Sequence, residues 1–156
     1  MNLYEAELKI KSLMIKHNLT GWRFHFDIAR SRFGRCNYYT KTITLSKYLT
    51  ELNDEERVTD TMLHEIAHAL VHTRYGTRGH SHTWKAVCNE IGCSGRRTYN
   101  LTNTLTPPSR YVFECPKCLR TVHVNRFLNS ACGKCCRDYN GGKFTSEYKF
   151  RVKERN

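Results

Sequence analysis

The sequence predicts an α+β protein in which helices pack on a short, mostly antiparallel sheet, followed by a C-terminal zinc ribbon. Three observations carry that prediction. Apolar residues recur at helical spacing over residues 2–18, 54–74 and 81–91. The strand period of two marks residues 22–28 and 41–46. Two Cys-x-x-Cys pairs stand 13 residues apart near the C-terminus.

Length and composition bound the rest. A chain of 156 residues makes one ordinary domain plus a small appendage, and 39% hydrophobic residues with 12% aromatics exclude a disordered chain. No apolar run approaches the roughly 18 residues that span a bilayer, and the N-terminus lacks a signal peptide's apolar block. An intracellular protein with no membrane partner is expected, cytoplasmic in a bacterium or virus and nuclear in a eukaryote. The net charge of +12 favours polyanions, nucleic acid above all, through counterion release. Residues 1–110 carry 16 Lys+Arg against 10 Asp+Glu, and residues 111–156 carry 10 against 4. Each part is therefore +6, and the shorter one is the more densely charged.

The first helix presents Leu3, Leu8, Ile10, Leu13, Met14 and Ile15 as an apolar stripe and stops at Asn18–Gly21. Trp22 to Ile28 alternates large apolar with polar residues, which puts His25 on the solvent side. Gly34 punctuates a turn through residues 31–35. Cys36–Thr40 and Lys41–Ser46 continue the β structure through hairpin connections. Ser46 opens a short turn or helix. Asn53 or Asp54 then caps a long helix whose first turn holds Glu55 and Glu56, where the dipole favours them; it runs to Arg74, and Gly76 ends it. Ser81 or Thr83 starts a further helix that Gly92 stops. Residues 100–110 contain two prolines and no periodicity, so they read as a linker. The domain boundary is placed there, giving residues 1–104 and 105–156.

Within the long helix lies His64-Glu65-Ile66-Ala67-His68. Imidazoles four residues apart share one helix face and can hold a single ion. A carboxylate beside the first reaches a water on that ion, the H-E-x-x-H arrangement of zinc metalloproteases, with Glu65 as general base. Two polar rings among apolar neighbours also need partners, and a metal supplies one. Three protein ligands and one open position are needed. Val71 and Arg74 exclude the extended metzincin pattern, and His72 sits a turn too far along. His80, His82 and Glu90 are the candidates for the third ligand. Tyr75, His82 and Arg97 are candidates to stabilise an oxyanion.

Near the C-terminus, Cys115, Cys118, Cys132 and Cys135 have zinc-ribbon spacing, two knuckles on hairpins making a four-thiolate site. Cys136 is a fifth thiol, but Cys135 fits the pattern. Residues 121–127 suit the hairpin strands and residues 143–153 a closing strand. About 45 residues bury too little for a self-sufficient core, so the metal supplies much of the folding energy. Arg120, Arg126, Lys134, Arg137 and Lys143, with Phe127 and Tyr139 among them, make a candidate nucleic-acid surface of cations and stacking aromatics.

His64-Glu-Ile-Ala-His68, then Gly79-His80-Ser81-His82-Thr83-Trp84-Lys85, then the four-cysteine ribbon, resemble the SprT-like (Spartan-type) metalloproteases over roughly residues 1–136. The resemblance implies a small zincin-like domain over residues 1–104. It also implies a third zinc ligand at His80, with Trp84 as the accompanying aromatic. Ser81 stands where the family has glycine, and His82 is an added imidazole. The resemblance further implies cleavage of proteins bound or crosslinked to DNA, promoted by DNA that is single-stranded or partly so, and an edge strand, here Lys41–Ser46, that aligns extended peptide. The ubiquitin- and clamp-binding tails of larger relatives are not expected. Two zinc ions per chain, one catalytic and one structural, and a monomer complete the expectation. The alternative is a non-proteolytic nucleic-acid-binding protein with two structural zincs.

Overall fold

The computed structural model describes residues 1–98 and 104–155, which form two compact units, Met1–Pro107 and Pro108–Asn156. The sequence places the boundary after Thr104. The chain stays with the first unit beyond that point because Asn53 holds it: its side-chain NH2 donates to the Leu105 carbonyl (2.9 Å) and its Oδ1 accepts the Leu105 N–H (3.0 Å). The part of the expected linker at residues 100–103 lies outside the described residues.

The first unit runs α1 (Leu3–Lys16), β1 (Arg23–Asp27), β2 (Gly34–Asn37), β3 (Thr42–Ser46), α2 (Lys47–Leu52), α3 (Glu55–Tyr75) and α4 (His82–Ile91). Each of these helices starts at a side chain that satisfies an unpaired backbone donor of its first turn. Asn2, Ser46, Asp54 and Ser81 accept from the N–H three residues on. In α1 only Ala6, Ile10 and Met14, spaced by four, are buried, whereas Leu8 and Ile15 are exposed, so the core stripe is narrower than the apolar count suggests. Along α3 every residue from Thr61 to Val71 is buried. This helix is the spine of the core, with Val58, Met62, Ile66 and Leu70 packed among Ile43, Leu45, Trp84 and Val87.

The sheet order is β1-β3-β2. β3 pairs parallel with β1 and antiparallel with β2, so β1 reaches β3 by a crossover and not by a hairpin. This corrects the assignment of Lys41–Ser46 as the substrate-aligning edge. β3 is central, both its sides are spent on neighbours, and all five of its residues are buried. The free edges belong to β1 and β2. Gly34 opens β2 and is not merely a turn residue.

The second unit holds β4 (Tyr111–Glu114), β5 (Thr121–Val124), α5 (Gly133–Asn140) and β6 (Arg151–Arg155), with sheet order β5-β4-β6, all antiparallel. Three of the four strand pairs among the described residues are thus antiparallel. The first cysteine pair lies in the β4–β5 turn. The second opens α5, a helix where a hairpin is expected, with Cys132 as its N-cap.

Candidate metal centres

The two H-E-x-x-H histidines sit mid-helix in α3, where their backbone is rigid and the core surrounds them. The third ring arrives by the loop after the helix. Gly76 closes α3, its N–H bonding the His72 carbonyl (3.0 Å). Gly79 at φ +80 adopts the left-handed conformation that turns the chain back toward α3. His80 then points inward, and its Nε2 lies 3.2 Å from the Nε2 of both His64 and His68, which are 3.2 Å from each other.

No proton assignment satisfies that triangle, because three nitrogens cannot alternate donor and acceptor around a ring. A cation at the apex can. Tetrahedral ligands at zinc–nitrogen bond length stand about 3.3 Å apart, so the observed spacing fits the ion. Burial first, then the neighbouring rings, drives His64 down to about 4 and His68 to about 3, below the ordinary imidazole value. For His80 burial and then Arg97 work the same way. The three rings are therefore neutral near pH 7, with lone pairs free.

The other ring nitrogens are held from behind. His64 donates to the Arg96 carbonyl. The Tyr38 hydroxyl lies 3.4 Å from His68 Nδ1 and also accepts the Gly79 N–H. Asp60, one turn before His64, binds the Ser94 N–H (2.7 Å) and hydroxyl (2.8 Å), fixing the loop that presents Arg96. Trp84, buried on α4, closes the floor with its ring 4.9, 5.3 and 4.5 Å from those of His64, His68 and His80. Such outer contacts orient ligands and set their tautomers.

Glu65 is buried beside the triad. Burial pushes its carboxyl up to about 8, opposed by the charge of Arg32 and by the Cys36 N–H that bonds it. The sheet comes so close that a Cβ at Gly34 would meet Glu65 Cγ and Oε1 at 2.7 Å.

His82 and Glu90 are not part of this cluster. His82 is exposed at the first position of α4, and Glu90 pairs with Arg74 (2.8 Å) on the surface. Ser81 caps α4 by accepting the Trp84 N–H (3.3 Å). His72 is half-buried against the Tyr38 ring, centroids 4.9 Å apart. Arg97 donates to the His80 carbonyl (3.2 Å), and Tyr75 is exposed.

In the second unit Cys115, Cys118, Cys132 and Cys135 bring their sulfurs within 4.8 Å of one another. Cys115 and Cys135 are 3.7 Å apart and Cys118 and Cys132 3.8 Å. Tetrahedral thiolates at zinc–sulfur bond length stand about 3.8 Å apart. The Cys135 N–H, aimed at Cys132 sulfur, lowers that thiol to about 7, toward the thiolate a metal needs. Cys136 is buried but outside the four. Of the candidate nucleic-acid residues, Arg120, Arg126, Phe127, Lys134 and Arg137 are all exposed. Phe127 also packs edge-on against Tyr111 and Phe113.

Sequence reading alone missed Gly34, Tyr38, Asp60, Ser94 and Arg96. Only Asp60 left a legible signal, since it shares the helix face of His64 and His68 at the same four-residue step.

A mixed α+β domain with three convergent imidazoles and a buried glutamate on one helix defines a candidate metallohydrolase. Residues 6–106 match the model of the SprT-like family, and the chain belongs to that family. The crystal structure of the metallopeptidase zymogen jannalysin of Methanocaldococcus jannaschii is similar, with a TM-score of 0.45 and 21% identity, covering 56% of this chain and 89% of that one. No curated relative matches. No helix among the described residues is long and apolar enough to cross a membrane.

Proposed function

We propose that the protein is a zinc-dependent endopeptidase, and the observation that carries this is the triangle of histidine nitrogens at 3.2 Å beside a buried Glu65. His64, His68 and His80 would hold the catalytic ion, leaving the fourth position open, and the four cysteines a structural one. When bound, the catalytic ion supplies Lewis acidity to the attacking water and the scissile carbonyl, and its charge draws the Glu65 pKa back down. Glu65 takes the water's proton and returns it to the leaving amine. A carboxyl that burial lifts toward neutrality suits both halves of that task. The free edge of β2 lies beside Glu65, because the Cys36 N–H is spent on that carboxylate and not on β3. An extended substrate pairs along this edge.

The substrates are proteins bound or crosslinked to DNA, with single-stranded or partly single-stranded DNA stimulating cleavage. The net charge of +12 and family membership support this reading. The test is cleavage of a DNA-binding protein with and without single-stranded DNA, by wild type and by Glu65→Gln. The proposal requires DNA-stimulated cleavage by the former and none by the latter, with zinc retained in both.

A further inference from the structure

The register of the first sheet sorts its side chains cleanly. Phe24, Phe26, Ile43, Leu45 and Cys36 join the core. On the opposite face Arg23, Thr42 and Asn37 form one row across the sheet, and His25, Thr44 and Arg35 form the next. These rows floor a groove of about 740 Å³ whose lining comes only from β1, β2, β3 and the loops joining them.

The carboxylate in this groove is already paired, and Arg35 and the Asn37 NH2 are left to donate. Asp27, the one carboxylate lining it, already takes the Ala29 N–H (2.9 Å), the Thr44 hydroxyl (2.9 Å) and Arg32. Thr42 gives its proton to the Thr40 carbonyl (3.0 Å). Asn37 Oδ1 accepts from the Tyr39 and Thr40 N–H groups, which leaves its NH2 to donate. Arg23 reaches only the Thr40 carbonyl, at 3.5 Å. Arg35 and His25 are exposed. With Arg32 neutralising Asp27, the charges of Arg23 and Arg35 remain and make the groove a site for anions.

The spacing suits an anion that carries more than one charge. Arg23 and Arg35 flank β3 from opposite sides, two strand spacings across and two residues along, about 12 Å apart at the backbone. At that separation each guanidinium can meet its own charge on an anion that carries several in series. The row between them is hydroxyls, without charge or bulk. Ile28, exposed at the end of β1, lines the same groove and offers apolar surface to a sugar or base.

We propose that this sheet face binds the backbone of a single-stranded nucleic acid, with Arg23 and Arg35 pairing separate phosphates and His25 and Asn37 donating between them. The site lies in the first unit, independent of the cationic residues after Pro108. It rests on the nucleic-acid part of the proposed function only for the class of polyanion.

The test is binding of a labelled single-stranded oligonucleotide to the full chain across a salt series, in a Glu65→Gln background so that cleavage does not enter. Arg23→Ala with Arg35→Ala should weaken binding on the order of tenfold and flatten the log–log salt slope by about 1.4, at roughly 0.7 per phosphate on a single strand. Arg23→Lys with Arg35→Lys should restore the slope, since the charges return. Equal zinc content in all three proteins shows that the variants fold. Unchanged affinity and slope in the alanine pair would overturn the site while leaving the wider nucleic-acid reading intact. No binding by the parent protein would sink both. Displacement of the oligonucleotide by polyglutamate at equal charge concentration would reassign the groove to acidic peptides.

Discussion

Gly34 and Glu65 are in contact so close that position 34 has room for no side chain: a Cβ there would stand 2.7 Å from the glutamate's Cγ and Oε1. The base on α3 is thus set by the backbone of β2, which also gives it the Cys36 N–H. Gly34→Ala should push the carboxylate out of place without touching a histidine. We expect kcat on a protein substrate to fall about 10- to 100-fold, the usual cost of a small misplacement, with zinc content unchanged. Full activity in this variant would mean that β2 does not position Glu65.

Tyr38 holds two parts of the triad at once, touching His68 Nδ1 and accepting the Gly79 N–H beside His80. Its hydroxyl therefore orients one ligand on the helix and one on the loop. Tyr38→Phe keeps the ring against His72 and under Arg78 but removes both polar contacts. Zinc affinity should drop about 10- to 100-fold. Competition with a chromogenic chelator measures it, and an unchanged affinity would reduce Tyr38 to packing.

Much of this site was legible in the chain, and the reason is local geometry. His64 and His68 declare themselves by a helix repeat, the four cysteines by knuckle spacing, and Asp54, Ser46 and Gly76 by the end groups that helices need. The order of the strands was not. Residues 41–46 alternate like any strand, and nothing local says that β1 would pair with β3 in parallel and leave β2 at the edge. Tyr38 and Gly34 were invisible for the same reason. Their roles exist only once β2 lies against α3, a contact between residues about thirty apart in sequence.

The pH dependence of the metal-free fold follows from three buried groups. Glu65, at about 8 against an ordinary 4.5, keeps a proton in the folded state that the unfolded chain releases between those values. Its contribution is therefore lost as pH rises through that window. His64 and His68, lowered to about 4 and about 3, act in reverse: their contribution is complete above pH 6.5 and lost as pH falls. Glu65→Gln removes only the first effect. Thermal melts of metal-free protein should show the variant gaining on wild type by about 4 °C or more at pH 8 relative to pH 5. A gain that is equal at both pH values would show that Glu65 is ionised in the folded state throughout.

The second unit separates a ligand from its neighbour in sequence. Cys135 is fully buried and 3.7 Å from Cys115, whereas Cys136 is buried just outside the cluster, with its carbonyl accepting the Gly142 N–H (2.8 Å). The core around them adds little beyond Tyr148, Ala131 and Phe150, so a unit this small depends on its metal. Cys135→Ala should therefore leave one zinc per chain and strip hydrogen-exchange protection from β4 to β6, while α3 stays protected. Cys136→Ala removes one buried sulfur and no ligand. It should keep two zincs and lose only about 1–2 kcal/mol of stability, the cost of a small cavity. Loss of the second zinc in Cys136→Ala, with retention in Cys135→Ala, would exchange the two assignments.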